Sequence, residues 1–344
     1  MGKRVNQPSA DDVARGAGVS RTQVSYVMNN TRAAHVSAEN RQKILEAAEA
    51  LGYQPHQSAQ ALARGYANEF ALFFPAPYTF RINAMLGSIH EWGLADGCVP
   101  VQYSFNSYLE PVRKRAALRT LLARKPRGLF CSPFDVSAED LDEARSRGVR
   151  HIVLWDLEDH ADYPTLVLPV GALGALAVNH LAAQGHRNIG FLRPADPVQG
   201  KAYAQRLAGA QRATEALAGV GLIELPWPDE SRPTFGSAGV FLDRSELSSR
   251  GITALYCYSD EYALPLLAAL HDRGVIVPRD LAVMGTDDLE FGALVRPALT
   301  TISLDGANLG QRAVDLINAQ LTGQPLSEDQ RRPLVPQLVR RSTT

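Results

Sequence analysis

Two helix-start signals separated by a single glycine turn constrain the amino-terminal part of this chain more than any other feature. Ser9 precedes a stretch of helical periodicity, Asp12 stands three residues on, and Pro8 sits just outside. Hydroxyl and carboxylate can then satisfy each other's backbone amides in a capping box. The spacing predicts a helix from Ala10 to Ala17, ended by Gly18 because so tight a turn favours positive φ, with Val19 tucked into a small core. Ser20 and Gln23 repeat the box and open a second helix through Met28, closed by Asn29 and Asn30. Two short helices about one glycine set the first across a phosphate backbone and the second in a major groove. After a loop, Ser37 starts a third helix with Ile44, Ala47, Ala48 and Leu51 on one face, ending at Gly52.

Beyond the headpiece, YQPHQSAQALARG (residues 53–65) reads as a polar, alanine-rich helix of barely two turns behind Pro55. Nucleation makes so short a helix marginal alone, so it is expected to fold only with a partner. From Phe70 the pattern changes to apolar runs suited to buried parallel strands: ALFFP, VPVQYSF, GLFCSP, HIVLWD, TLVLPV, NIGFLR, ALYCYS and LAVMGTDD. Helices expected between them include Met85 to Ala95, Pro111 to Ala123, Leu173 to Ala183, Ala204 to Leu217 and Glu261 to His271. This alternation predicts doubly wound α/β structure in two sheets.

Composition narrows the function classes. Among 344 residues no apolar run is long enough to cross a bilayer, and MGKRVNQPSADD lacks the apolar stretch of a secretory signal, so a cytoplasmic address and no membrane partner are expected. Cys98, Cys131 and Cys257 are too scattered for a disulfide framework or a zinc cluster, and no metal or cofactor is expected. Residues 1–65 hold eight Lys/Arg and five Asp/Glu, net +3, leaving 27 against 31 elsewhere. An enzyme is disfavoured. GALGALA after TLVLPV lacks the G-x-G start of a dinucleotide site, Asp196 lies too late for the ribose, and no G-x-S-x-G, HExxH or Walker sequence occurs. Those glycines are expected to permit close strand–helix packing.

DVARGAGVSRTQVSYVMNN, HVSAENRQKILEAAEALGYQP and SAQALARG, followed in order by HLAAQGHRNIGFL, RLAGAQRATEALAGVG, SDEYALPLLAALHDRGVIVPRDLAVMGTDD, PALTTI and LVPQLVRRST, resemble the lactose, galactose and purine repressor family from end to end. The resemblance implies an all-α helix-turn-helix headpiece (1–54), a hinge helix (55–66) and a two-lobed, periplasmic-binding-protein-like sensor domain (67–344). Its first lobe would take about 67–165 and 296–325, its second about 166–295 and 326–344. It further implies a homodimeric regulator, most readily a repressor, that binds double-stranded operator DNA under control of a small-molecule effector, expected to be carbohydrate-derived. Dimerisation is expected to use the lobes, with no added heptad segment for tetramers expected after Thr344.

Carried over by the resemblance, Arg21, Thr22 and Tyr26 read bases, Ser20, Ser25, Asn29, His35 and Ser37 hold phosphates, and Leu62 wedges into the minor groove. Tyr26 departs from the usual arginine, which points to a different operator sequence. Between the lobes, Phe80, Arg206, Asp260 and Asp287 match effector-contacting positions, and Asp156 is a further candidate at a strand end. Val170 and Gly171 replace the frequent acid and amide, and Arg81 replaces a second aromatic, so an anionic sugar derivative is an alternative to a plain hexose.

Overall fold

A computed structural model describes residues 8–28, 35–54, 60–61, 64–76, 80–106, 109–194, 199–227, 244–304 and 306–344. The headpiece consists of α1 (Ala10–Ala17), α2 (Arg21–Met28) and α3 (Ala38–Leu51). Both boxes form as the sequence predicts: Ser9 and Asp12 exchange bonds of 2.9 and 3.3 Å, and Ser20 and Gln23 exchange two of 3.3 Å. Gly18 takes φ 64°, open to glycine at little cost. Val13, Val24, Val27, Val36, Ile44 and Ala48 bury the apolar faces against one another. Each buried valine or isoleucine contributes on the order of 1.5–3 kcal/mol, which is how so small a unit holds together. Leu51 departs from expectation and stays exposed. The Tyr53 N–H turns back to the Ala48 carbonyl at 2.8 Å, and Tyr53 packs against the core instead.

The rest of the chain carries two parallel sheets. The first runs in the order β2 (Val99–Asn106), β1 (Ala67–Ala76), β3 (Pro126–Cys131), β4 (His151–Asp156), β5 (Thr165–Val167). The second runs β7 (Gly221–Pro226), β6 (Asn188–Arg193), β8 (Ala254–Cys257), β9 (Ala282–Met284). Helices α4 (Phe80–Asp96), α5 (Pro111–Leu122) and α6 (Ala138–Ser146) connect the first sheet. The second is connected by α7 (Val170–Ala183), α8 (Gly200–Glu215), α9 (Arg244–Ser249) and α10 (Asp260–Asp272). Short α11 (Glu290–Leu294) precedes β10 (Thr301–Ser303), then come α12 (Gly306–Thr322), α13 (Glu328–Arg331) and β11 (Gln337–Val339), which pairs antiparallel with β10.

β1 begins four residues before its apolar run, where Glu69 is neutralised by a bidentate Arg124 at 2.6 and 2.9 Å. β7 and α12 were not among the elements expected. β7 is an edge strand of mixed polarity, and α12 packs on α4, β4 and β5. The glycines of GALGALA serve helix–helix contact rather than the expected strand–helix contact. A Cβ on Gly174 of α7 would lie 2.1 Å from the Arg206 carbonyl oxygen, and one on Gly209 of α8 would lie 1.9 Å from that of Gly171. This contact seats Arg206 deep in the second lobe.

Candidate nucleic-acid interface and interlobe cleft

The amino-terminal end of α2 presents Arg21 and Thr22 to solvent, on a helix whose other face is fixed by Val24 and Val27. That is the end a recognition helix inserts into a groove. Arg21 lies 3.7 Å from Asp11 of α1, with both side chains exposed, a contact weak enough to exchange for a guanine edge. Tyr26 is half-buried and packs against the headpiece core, so its ring is partly spoken for by folding and only its remainder faces outward. Ser20 and Ser37 cap α2 and α3 with their oxygens, at 3.3 and 3.2 Å from the Gln23 and Asn40 amides. Both serines are exposed beside helix amino-termini, which favour anions. Ser25 and His35 are exposed as well. Asn29 and Leu62 lie outside the described residues.

Both sheets share one topological logic. The strand order reverses between β1 and β3 in the first, and between β6 and β8 in the second. Open α/β sheets bind ligands outside the carboxyl ends of strands at such switch points. Tyr258 and Ser259 follow β8 there, and Arg206 reaches the same place from α8. Arg206 is 1% exposed, donates from Nη1 to the Tyr258 carbonyl, and stacks its guanidinium 4.3 Å from the Tyr258 ring centroid. Among the described residues, Arg206 Nε, the Ser259 hydroxyl and the Trp155 indole N–H are buried with no hydrogen-bond partner. Leaving such groups unsatisfied costs about 1–3 kcal/mol each. Ser259 and Trp155 were not among the residues foreseen; each is masked in sequence by a more conspicuous aspartate beside it.

Asp287 sits just past β9 at φ 106°, followed by Asp288 at φ 53°, two successive non-glycine residues in left-handed backbone. Asp260 holds that loop. It is 0% exposed, its Oδ1 accepts the Thr301 hydroxyl at 2.7 Å, its Oδ2 accepts the Leu289 N–H at 2.8 Å, and its own N–H donates to the Thr286 carbonyl at 2.8 Å. Burial raises its pKa to about 7. Asp260, matched by the resemblance to an effector-contacting position, here has both carboxylate oxygens engaged in bracing the Asp287 loop.

Asp156, the further candidate at a strand end, is likewise engaged. It accepts the Leu157 N–H at 2.7 Å and His160 Nε2–H at 2.6 Å. Lys201 of α8 crosses from the second lobe to lie 4.0 Å from Asp156, 3.8 Å from Glu158 and 5.2 Å from the Phe134 ring centroid, while Gln205 donates to Glu158 at 3.2 Å. These contacts clasp the two lobes at the cleft edge. Phe80 and Arg81 open α4, and their side chains lie outside the described residues.

The comparisons with known proteins fall on the same two units. The profile of the bacterial regulatory proteins of the lacI family matches residues 9–56, and that of the periplasmic binding protein-like domain matches residues 178–344. The chain is 26% identical to the HTH-type transcriptional repressor PurR of Vibrio cholerae serotype O1 over 96% of both chains. It is 26% identical to catabolite control protein A of Priestia megaterium over 89% of this chain and 90% of that one. A crystal structure of the lac repressor dimer bound to operator and the anti-inducer ONPF superposes with a TM-score of 0.78 at 26% identity, covering 98% of this chain and 99% of that one. The transcriptional regulator CelR in complex with cellobiose shares the fold, with a TM-score of 0.63 at 21% identity over 98% of this chain and all of that one. With a headpiece matching the lacI-family profile and a two-lobed sensor matching the periplasmic binding protein-like profile, in the same order along its length, the chain is similar from end to end to bacterial regulatory proteins of the lacI family.

Proposed function

We propose that the protein is a homodimeric, cytoplasmic transcriptional repressor whose affinity for operator DNA is set by a small molecule held between its lobes. The exposed Arg21 and Thr22 at the head of a doubly capped α2 carry the reading. A forked guanidinium suits guanine O6 and N7, and a threonine suits either a hydrogen bond or a thymine methyl. Tyr26 contributes the part of its ring left free by the core. Ser20, Ser25, Asn29, His35 and Ser37 hold phosphates, and Leu62 of the hinge presses into the minor groove. A two-fold dimer then demands a near-palindromic operator.

The effector is a compact, ring-bearing polar molecule, a sugar or sugar derivative. Arg206, Ser259 and Trp155 offer it unsatisfied donors, Asp287 an acceptor, and Tyr258 and Phe134 apolar faces. Phe80 and Arg81 would border the same cleft from the first lobe, Arg81 favouring an anionic substituent. Binding there acts by closing or reorienting the lobes and so moving the hinge. The test is selection from randomised duplex DNA with and without sugars, sugar phosphates and nucleobases. A near-palindrome whose recovery changes with one ligand class supports the proposal. Absence of enrichment at moderate salt overturns the operator reading, and enrichment indifferent to every ligand overturns the effector reading.

A further inference from the structure

A groove of about 560 Å³ lies along the free side of β5, away from the Arg206 cleft and sharing none of the residues that line it. β5 is the edge strand of its sheet, so among the described residues no other strand closes this side. Leu166, Leu316, Leu326 and Leu334 give the groove an apolar floor, and Arg312, Arg331 and Arg332 stand over it against the single carboxylate of Asp159. The lining thus carries a formal charge of +2. Arg332 pairs with exposed Asp329 at 3.1 Å, while Arg312 and Arg331 have no ion-pair partner among the described residues. The volume is that of a small-molecule site.

Two walls of the groove are chain crossings between the lobes. One is the Val167–Pro169 passage from β5 into α7, and the other is the stretch from Leu326 to Leu334 that leads from α12 to β11. An occupant would therefore touch the segments about which the lobes turn.

We propose that this groove is a second small-molecule site, for an amphipathic anion whose aliphatic or aromatic body lies on the leucines and whose carboxylate or phosphate meets Arg312 and Arg331. Paired guanidinium contacts to either oxyanion are short and strong, and the apolar floor selects against a fully hydrophilic anion. The proposal does not depend on the operator reading.

Isothermal titration of the intact protein with octanoate, octyl phosphate and octanol tests it. The expected result is saturable binding of one or both anions, with octanol at least about tenfold weaker, a gap of about 1.4 kcal/mol. The variants R312Q/R331Q and R331E, at half-buried Arg312 and exposed Arg331, weaken the anion by a similar factor, and circular dichroism with thermal unfolding of the same samples reports that their lobes are folded. Preference between the two anions distinguishes a carboxylate from a phosphate ligand. No saturable binding below about 1 mM, or binding unchanged by both variants, overturns the proposal. A changed oligomeric state of R331E in sedimentation also overturns it, since the groove would then be a contact between copies.

Discussion

Asp260 gives the account a sharp energetic consequence. Its carboxyl is buried among β8, β9 and Thr301, and burial, reinforced by nearby Asp287 and Asp288, raises its pKa from 3.8 to about 7. The folded state thus holds a proton more tightly at this position than the unfolded chain does. Its contribution to stability is full below the unfolded pKa, is lost as pH rises toward 7, and stays lost above. The span corresponds to roughly 4 kcal/mol. Other carboxylates pull the opposite way at low pH: Asp12 and Glu143, for instance, are held below their ordinary values by Ser9 and Arg119. A single stability curve would therefore mix the two. The D260N variant separates them. Asn keeps one acceptor for Thr301 or Leu289 and sets an N–H against the other, which shifts stability by a constant, but it cannot titrate. Urea unfolding of both proteins at intervals from pH 5 to 8 gives the difference curve. D260N should gain on the native protein from pH 5 to about 7 and then level off, by on the order of 2–4 kcal/mol in total. Parallel curves would refute the reasoning, showing that water or loop movement solvates this carboxylate.

The headpiece and the clasp make further predictions. R21A should cost about 1–3 kcal/mol on the operator and relax discrimination at one base pair of each half-site, measured by anisotropy on single-substituted duplexes; retained discrimination would remove Arg21 from base reading. I44A should remove about 2–5 kcal/mol from the headpiece alone. Calorimetry would then show an early transition and loss of operator binding while the lobes unfold at their usual temperature. K201A should change global stability by less than about 1 kcal/mol, because Lys201 is half-exposed, yet shift the effector concentration needed to alter operator binding. A larger loss of stability with no shift would make the clasp a structural brace.

What the sequence made legible follows from how locally each element is determined. The headpiece helices were readable because Ser9, Ser20 and Ser37 each signal a start and Gly18 and Gly52 each signal a stop within a few residues. Ser137 and Asp140 form the same box before α6, a start signal as local as those of the headpiece. β7 was hidden by its mixed polarity at a sheet edge, and the start of β1 by Glu69, whose charge is cancelled only by Arg124, distant in sequence. The site was legible as a neighbourhood and not as roles. Asp156, Arg206, Asp260 and Asp287 all lie near carboxyl ends of strands as expected, but which carboxylates are consumed internally depends on Thr301, Leu289 and His160. Nothing in the sequence announces those pairings, nor the reach of Lys201 from one lobe to the other.

The central claim is that DNA binding by the headpiece and ligand binding between the lobes are coupled. Its most direct test is reciprocal: operator affinity by anisotropy with and without the small molecule found in the selection, and small-molecule affinity by calorimetry with and without operator. Linkage requires the two ratios to be equal. The account predicts a change of about tenfold or more in each, matching within error. Tight binding of both ligands with neither affecting the other would contradict it.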